Sequence, residues 1–426
     1  MSRQAREPAS LISRTFALAA MTSPPPEKWL SLIGIGEDGI EAISPAARQM
    51  LAQAHLVVGG ARHLALAGPL KVETMTWPSP LADAIPEILA RRGSPVCVLA
   101  SGDPFFYGVG TLLGAHVGPQ EMQCFPAPSA FSLAAARLNW SLQDSCLVSL
   151  HGREFERIIP ALQPDAKILC LAWDETTPPR LASLLCQRGL GRSRIVVMEA
   201  MGGQRERTRA TTADAFRMEG IDPLNIVALE ITATAQSRIL PVANGLADSW
   251  FETDGQLTKR EVRAITLSSL APRRGELLWD VGAGSGSIAI EWLLSDPANR
   301  AIAIEARENR ASLIRRNADN LGVPHIEIFT GRAPEAFVNL PRPQAIFVGG
   351  GASDACLLDA AYDVLPSGGR LVVNAVTLEA EAELIRRFKA RGGELLRIEI
   401  SRGNSLGSYQ AWRPALPVTQ WSVTKR

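Results

Sequence analysis

The 426-residue sequence lacks the long apolar runs of a membrane protein and the paired cysteines of a secreted or metal-binding protein. It contains nothing close to the roughly eighteen uninterrupted apolar residues that span a bilayer. The six cysteines stand singly, without a CxxC pair, which predicts buried free thiols in a reducing cytoplasm. The five histidines show no HxxxH or HxH spacing, so we expect no metal site.

The sequence also lacks a strong charge of either sign. Its 44 Lys and Arg residues balance 43 Asp and Glu residues, for a net charge of +1. This balance gives no support for a nucleic-acid or membrane-surface partner, and we expect a cytoplasmic homo-oligomer. The composition, 46% hydrophobic and 20% charged, is that of a globular protein, and the length predicts two or three domains.

Residues 1–28 differ from the rest of the chain. Arg3, Arg6 and Arg14 precede the segment TFALAAM, which superficially resembles a secretory signal. The apolar core is too short for one, and PPPEK follows it. We therefore expect a disordered tail over 1–28 or, alternatively, a true start at Met21.

From residue 29 onward, short apolar runs alternate with amphipathic stretches, which predicts an α/β fold. WLSLIGIG is a predicted strand, and SPAARQMLAQA a predicted helix with Ser44 as N-cap and Pro45 in its first turn. The periodicity fails over 239–257, which we interpret as a linker between domains at 29–238 and 258–426. The second domain again alternates strands with helices, including RENRASLIRRNADNLG, with Gly322 as C-cap.

The second domain contains the segment WDVGAGSGSIAIEWLL, in which a strand ending at Asp280 leads through three glycines into a helix. The next strand, RAIAIE, ends at Glu305, where a carboxylate can accept both ribose hydroxyls of a nucleotide. An acid this close to a pyrophosphate would repel it, but it suits a ligand with a sulfonium and an ammonium group. The segment resembles class I S-adenosylmethionine-dependent methyltransferases, with a Rossmann-like fold.

The resemblance narrows with TKREVRAITLSSL at 258–270, GRAPEAF, IFVGGG, LPSGGRLVVNAVTLE and ISRG. Together these segments are similar to the decarboxylating precorrin methyltransferases of cobalamin (vitamin B12) biosynthesis, from about Gly255 to the C-terminus. The resemblance implies that S-adenosylmethionine contacts the following residues: Thr258, Asp280, Gly282, Ala283, Gly284, Ser285, Gly286, Glu305 and Ala333.

After the fourth strand, nucleic-acid amino methyltransferases carry an Asn/Asp-Pro-Pro-aromatic loop. This chain has Gly349, Gly350 and Gly351 instead. We interpret the glycine turn as room for a large flat macrocycle that these three residues contact; the alternative is a flexible connection.

In the first domain, Gly34, Gly36 and Gly39 satisfy the dinucleotide pattern GxGxxG. The pattern alone is weak, because Ile40–Ile43 separate the third glycine from the helix. The second strand ends in Gly59-Gly60 and not in the acid that would hold the ribose of a nicotinamide cofactor. An NAD-dependent oxidoreductase is therefore a disfavoured alternative.

Three further segments, ASGDPFFYGVG, FPAPSAFSLAAARLNW and EAMGGQRERT, resemble the tetrapyrrole (corrin/porphyrin) methylases, specifically the precorrin-6Y type, over residues 29–238. The resemblance implies two α/β subdomains with the cofactor in a cleft between them. Ala127 departs from the family, which usually has Gly there. The implied cofactor contacts are Gly102, Asp103, Phe106, Ser129 and Ala130.

Together the two resemblances imply a bifunctional enzyme with two S-adenosylmethionine sites and an anionic precorrin as substrate. The first half would methylate C5, and the second would methylate C15 and decarboxylate the ring C acetate. The general acid is unknown, with Glu379, Asn374 and Tyr409 as candidates. The remaining alternatives are an RNA or protein methyltransferase with an accessory domain and a non-catalytic cofactor sensor. Candidates for binding substrate carboxylates are Arg153, Arg205, Arg207, Arg209 and Arg402.

Overall fold

A computed structural model describes residues 28–426. The predicted disordered tail therefore lies, except for Lys28, outside the described residues. Within 28–426, no helix is both long enough and apolar enough to cross a membrane. The chain divides into two compact units, one reaching residue 129 and including 202–204, the other formed by 130–201 and 205–426.

The first unit is built on a five-stranded sheet in the order β3-β2-β4-β1-β5, in which all pairs are parallel. Alternate residues of β1 and β4 enter two different hydrophobic clusters, so both faces of the sheet are covered. The strands are β1 (Leu30–Ile35), β2 (Leu56–Gly59), β3 (Glu73–Thr76), β4 (Val96–Ser101) and β5 (Met122–Phe125). The helices are α1 (Pro45–Gln53), α2 (Ala61–Ala67), α3 (Ile85–Ala90) and α4 (Gly110–Gly114).

The start of α1 confirms the predicted cap. Ser44 Oγ accepts a hydrogen bond from the Ala47 N–H at 3.2 Å, and Pro45 occupies the first helical position. A short 3-10 helix at Gly39–Glu41 separates the GxGxxG pattern from α1. The third glycine of the pattern therefore does not open the helix, as expected from the sequence.

The second unit begins with a mixed sheet in the order β6-β7-β10-β8-β9. Only β6 and β7 are parallel, and the other pairs are antiparallel. The strands are β6 (Cys146–Ser149), β7 (Lys167–Leu171), β8 (Arg194–Glu199), β9 (Arg207–Thr212) and β10 (Asn225–Glu230). The helices are α5 (Ala130–Leu138) and α6 (Thr177–Gln187), with a 3-10 helix at Phe155–Ala161.

The rest of the second unit is a seven-stranded sheet in the order β13-β12-β11-β14-β15-β19-β16, with β19 antiparallel to both neighbours. Because β11 lies between β12 and β14, the order reverses beside β11, where ligands bind in open α/β sheets. Its strands are β11 (Leu277–Val281), β12 (Arg300–Glu305), β13 (Glu327–Thr330), β14 (Ala345–Val348), β15 (Arg370–Ala375), β16 (Glu394–Ile398) and β19 (Val418–Thr424). A separate hairpin joins β17 (Ser401–Leu406) to β18 (Tyr409–Pro414). The helices are α7 (Arg260–Leu270), α8 (Ser287–Ser295), α9 (Glu308–Leu321), α10 (Ala355–Val364) and α11 (Leu378–Arg391).

The segment 239–257, predicted as a linker, contains one 3-10 turn, Asp248–Trp250, and is otherwise irregular. Leu240, Leu246 and Phe251 are nevertheless buried in the core around α8. The buried Glu291 carboxylate accepts the Leu246 N–H at 3.0 Å and pairs with the buried Arg263. The segment is therefore anchored to the seven-stranded domain, while the exact domain boundaries remain a prediction.

Candidate functional site

Three glycines follow β11, and each has a positive φ: Gly282 (+71°), Gly284 (+61°) and Gly286 (+78°). A Cβ on Gly282 would lie 2.9 Å from the Gly350 N atom, and one on Gly286 would lie 2.8 Å from Ile314. A Cβ on Gly284 would meet only the Gln256 carbonyl oxygen, at 3.9 Å. Two of the glycines therefore permit close packing, while Gly284 faces open space in which a ligand can approach the backbone.

Asp280 is almost fully buried at the end of β11. Its Oδ2 atom accepts the Ala289 N–H at 3.1 Å, whereas Oδ1 has no hydrogen-bond partner within residues 28–426. Burial raises the pKa of the Asp280 carboxyl to about 7, and the Glu305 charge adds to the shift while the Ala289 N–H opposes it. A buried acceptor without a donor is unfavourable, so the site fits a ligand that brings an ammonium or another cation.

Glu305 lies at the tip of β12, beside the glycine turn. Its Oε2 atom accepts the Gly284 N–H at 2.9 Å, and its Oε1 atom accepts the Arg307 N–H at 3.0 Å. A carboxylate offers about four acceptor positions, so two remain for other donors. Glu305 is thus held in one orientation in which it can accept a pair of ribose hydroxyls.

Backbone hydrogen bonds bring the neighbouring loops to the same edge of the sheet. The Gly331 N–H donates to the Glu305 carbonyl at 3.0 Å. The half-buried Ala333 follows Gly331 closely in the sequence. The Gly349 N–H donates to the Val281 carbonyl at 3.0 Å, which places the Gly349–Gly351 turn against the glycines after β11. The loops after β13 and β14 therefore border the ends of β12 and β11.

Thr258 precedes α7, and its carbonyl oxygen accepts a hydrogen bond from Arg263. The residues before it are held by Arg310, which donates to Asp254 at 2.7 Å and to Gln256 at 2.8 Å. Since the Gln256 carbonyl faces Gly284, this segment borders the open side of the glycine turn.

Asn317 was not anticipated from the sequence. It is fully buried on α9, where its Nδ2 donates to the Ser285 carbonyl at 2.9 Å and its Oδ1 accepts the Glu252 N–H at 2.8 Å. Asn317 thus fixes the glycine turn to the segment before α7. Its partners lie 32 and 65 positions away in the sequence, so no local pattern could have indicated this role.

The three candidates for a general acid lie on different elements. The Asn374 amide at the end of β15 is engaged on both sides, by Thr266 at 2.9 Å and by Gln420 at 2.8 Å. Glu379 is exposed in the first turn of α11, and Tyr409 is exposed on β18 of the separate hairpin. Asn374 therefore links three elements, and Glu379 and Tyr409 remain the ionisable candidates.

In the first unit, the glycine of β1, Gly34, serves packing. A Cβ on Gly34 would lie only 1.9 Å from the Gly102 carbonyl oxygen and 2.6 Å from the Ala127 N atom. The absence of a side chain at Gly34 thus makes room for the turn after β4. That the cofactor contacts lie at Gly102 and not in the GxGxxG segment stays a prediction.

The predicted contacts Gly102, Asp103 and Ser129 gather in this turn. Gly102 has a φ of +55°, accepts the Ala127 N–H at 3.1 Å, and would place a Cβ 2.8 Å from the Ser129 Cα. Asp103 Oδ1 accepts the Phe105 N–H at 2.9 Å, which closes an Asx turn. Phe106 is exposed beside this turn. Ala130 opens α5 and belongs to the second compact unit.

Four of the five arginine candidates form ion pairs with acids. The guanidinium groups of Arg207 and Arg209 both pair with the buried Glu199 carboxylate. Arg205 pairs with Asp222, and Arg402 pairs with Glu261. These pairs do not test a role in substrate binding.

Arg153 borders a cavity of about 320 Å³ that Trp173 and Arg180 also line. Of the five arginine candidates, only Arg153 lines this cavity. Whether it contacts substrate stays a prediction.

Sequence comparisons match both halves to known families. The model of the tetrapyrrole (corrin/porphyrin) methylases matches residues 30–216, and that of the precorrin methyltransferase domain matches residues 249–425. Two shorter relatives resemble part of the chain. A cobalt-precorrin-7 C(5)-methyltransferase of Salmonella typhimurium is 33% identical over 42% of this chain and 88% of the relative. A probable cobalt-precorrin-6B C(15)-methyltransferase (decarboxylating) of Pyrobaculum calidifontis is 34% identical over 41% of this chain and 92% of the relative.

A third relative matches nearly the whole chain. It is a precorrin-6Y C(5,15)-methyltransferase [decarboxylating] of Sinorhizobium, 51% identical over 95% of this chain and 98% of the relative. The glycine turn after β11, the buried acid before it and the acid at the tip of β12 agree with this relationship. The chain therefore belongs to the S-adenosylmethionine-dependent precorrin-6Y C(5,15)-methyltransferase (decarboxylating) family.

Proposed function

We propose that this chain methylates a reduced precorrin-6 at C5 and C15 and decarboxylates the acetate side chain of ring C. The observation that carries the proposal is the buried Asp280 carboxylate, with one oxygen unpaired among the described residues, beside the glycine turn and Glu305. We further propose two S-adenosylmethionine sites, one at this edge and one at the Gly102 turn. Some relatives are named for only one of the two methylations, which supports assigning the C5 methylation to the first half and the C15 methylation to the second.

In the second half, Asp280 would face the cationic end of the cofactor, and Glu305 would hold its ribose. S-adenosylmethionine, when bound, supplies a methyl group on a positively charged sulfur. The ring carbon of a reduced tetrapyrrole is itself a nucleophile, so the chain need only align carbon, methyl and sulfur. Such alignment can lower a barrier by about 7–11 kcal/mol. No covalent nucleophile is required from the protein.

Decarboxylation breaks the bond between the acetate CH₂ and its carboxylate, and carbon dioxide leaves. The electron pair of that bond passes into the conjugated ring, and a proton then converts the remaining carbon into a methyl group. A positioned general acid can deliver this proton. Glu379 and Tyr409 are our candidates, whereas the amide of Asn374 has no acidic proton and would instead support β15.

The experiment supplies the purified full chain with S-adenosylmethionine and reduced precorrin-6 and measures the product mass. We expect two added methyl groups and the loss of one carbon dioxide. The double variant Asp280→Asn, Glu305→Gln should retain one methyl addition and lose both the second methylation and decarboxylation. A folded wild-type chain that leaves the mass of authentic substrate unchanged would contradict the proposal.

A further inference from the structure

The C-terminal end of α9 lies against the first half of the chain. Gly322, the C-cap of this helix, has a φ of +82°, and a Cβ on it would lie 2.5 Å from Pro160 and 2.8 Å from Ile159. Both residues belong to the 3-10 helix at Phe155–Ala161, and this helix and α9 lie in the second compact unit. Gly322 therefore does more than end α9, because the lack of a side chain lets the 3-10 helix pack directly on it.

A side chain of the first half also completes the cap of α9. The last four carbonyls of a helix have no partner within it. The Gly322 N–H donates to the carbonyls of Ala318 and Asp319. The next carbonyl, that of Asn320, accepts a hydrogen bond from Arg188 Nη2 at 2.6 Å, and Arg188 is the C-cap of α6. This arginine satisfies a carbonyl and places a positive charge at the negative end of the α9 dipole.

The charge of Arg188 matters at this end of α9 because acidic side chains of both halves lie near it. Burial raises the pKa of the Asp319 carboxyl in the last turn of α9, and Arg315 opposes the shift. The charges of Glu156 and Glu154, which come from the first half, raise the same pKa further. Like charges and the negative end of the helix dipole therefore meet here, and a cation bound to the last turn offsets their repulsion.

The same helix holds the glycine turn of the second half. Asn317, one turn before the capped carbonyl, donates to the Ser285 carbonyl at 2.9 Å. Ile314, one turn earlier still, packs against Gly286, where a Cβ would lie only 2.8 Å from its side chain. Packed side chains on a rigid helix are the physical means by which one region can influence another. A shift of the last turn of α9 should therefore displace the turn that follows β11.

We propose that the first half caps α9 and so positions the glycine turn of the second half, with Arg188 as the positioning residue. This role rests on the proposed function, which assigns S-adenosylmethionine to that turn. The first half then contributes to the C15 reaction without using any of its own catalytic groups. The end of α9 is thus an interaction surface, and the partner that it fits is the first half of the same chain, through the 3-10 helix and the end of α6.

The test compares Arg188→Met with Arg188→Lys in the full chain. Methionine has neither the charge nor the N–H donor, so the last turn of α9 should loosen. We expect the KM for S-adenosylmethionine at C15 to rise about threefold to tenfold, with kcat changed less than about twofold and C5 kinetics unchanged. Lysine keeps the charge and a donor for the single hydrogen bond, so it should recover most of the wild-type KM.

Hydrogen exchange of the backbone amides at 282–290 supplies a readout that does not depend on activity. These amides should exchange severalfold faster in Arg188→Met, because the glycine turn loses its fixed support. The amides of the first sheet should exchange at the wild-type rate.

Arg194→Met is the matched control, because Arg194 pairs with Glu230 at 2.6 Å inside the first half and should leave both readouts unchanged. The inference is overturned if the exchange of 282–290 in Arg188→Met matches wild type, or if lysine fails as fully as methionine. Faster exchange throughout the chain, or an equal effect of Arg194→Met, also overturns it, since the role of Arg188 would then be general stability. A wild-type chain that never methylates C15 contradicts the proposed function instead, and the exchange rates still decide whether the first half holds the turn.

Discussion

The turns after β1 and β11 both contain several glycines at the carboxyl end of a central strand, yet the structure uses them differently. After β11, Gly284 leaves its face open, and two acids border the turn. Near the end of β1, a Cβ on Gly34 would overlap the carbonyl of Gly102, so its face is closed by protein backbone. A glycine pattern therefore indicates close approach of a backbone but not whether a ligand or another loop approaches.

The acids sharpen this difference. Glu305 accepts the Gly284 N–H of the turn after β11, Asp280 accepts the Ala289 N–H of α8, and one oxygen of Asp280 has no protein donor in the described part of the chain. In the other sheet, β2 ends at Gly59 and is followed by Gly60, and the polar groups lie at the end of β4, around Ser101. This polar cluster thus lies at the end of β4, the strand next to the glycine-rich β1.

The largest effect is expected from Gly34→Ala. The new Cβ would overlap the Gly102 carbonyl, a backbone atom that cannot rotate away, so the whole turn after β4 must move. A displacement of about 1 Å can cost about a hundredfold in rate, and we expect that loss or more for C5 methylation. Decarboxylation should continue.

Gly114→Ala is the control for Gly34→Ala, because its added Cβ would meet only Phe105, at 3.6 Å. Product masses from the two variants provide the measurement. Normal C5 methylation by Gly34→Ala would show that the Gly102 turn does not depend on close packing against β1.

The converse variant is Asp280→Asn, which should impair only the second half. The amide retains the shape but not the charge that would attract the cofactor's ammonium and sulfonium groups. Charged hydrogen bonds contribute about 1.5–3 kcal/mol, so we expect KM for S-adenosylmethionine at C15 to rise at least tenfold. C5 kinetics in the same chain provide the internal control, and an equal loss at both carbons would contradict two independent sites.

The pH dependence of the same site should be smaller but distinctive. The folded-state pKa of Asp280, about 7, is raised above its ordinary value, so its contribution to stability is fully present below about pH 4 and is lost as pH rises toward 7. A cationic ligand favours the ionised carboxylate, so KM for S-adenosylmethionine at C15 should fall between about pH 6 and 8. Asp280→Asn should flatten this profile, and an unchanged slope in the variant would assign the titration to another group.

Local chemistry explains what the sequence could predict. Some features depend only on residues close in sequence or on a repeating strand pattern, and the structure contains them. They are the Ser44 cap of α1, the Gly322 cap of α9, and the acids Asp280 and Glu305 at the ends of β11 and β12. The α/β fold class can be predicted because it, too, depends on a repeating pattern along the chain. The buried strands β11 and β12 are continuous apolar runs, which are readily recognised.

Tertiary contacts explain what was missed. β9 has the sequence RTRATT, and its arginines are held by Glu199 on the neighbouring strand, so no apolar alternation marks it. The exposed hairpin of β17 and β18 likewise lacks a buried face. Ser101 and His63 lie 38 residues apart and meet only because β2 and β4 pair. Such sites require the sheet order, which one sequence does not reveal.

The smallest effect is expected from Arg310→Met, which alters the border of the open turn without touching its acids. Arg310 holds Asp254 and Gln256, and the Gln256 carbonyl faces Gly284. Loosening this segment should raise KM for S-adenosylmethionine at C15 only a few-fold, because partly exposed ion pairs contribute about 1 kcal/mol or less. Arg315→Met is the control, since Arg315 lies on the same helix but donates to the Ile326 carbonyl, at 2.9 Å, and not to the segment before α7. If both variants raise KM equally, the effect comes from α9 as a whole, and the segment before α7 has no specific role in bordering the cofactor.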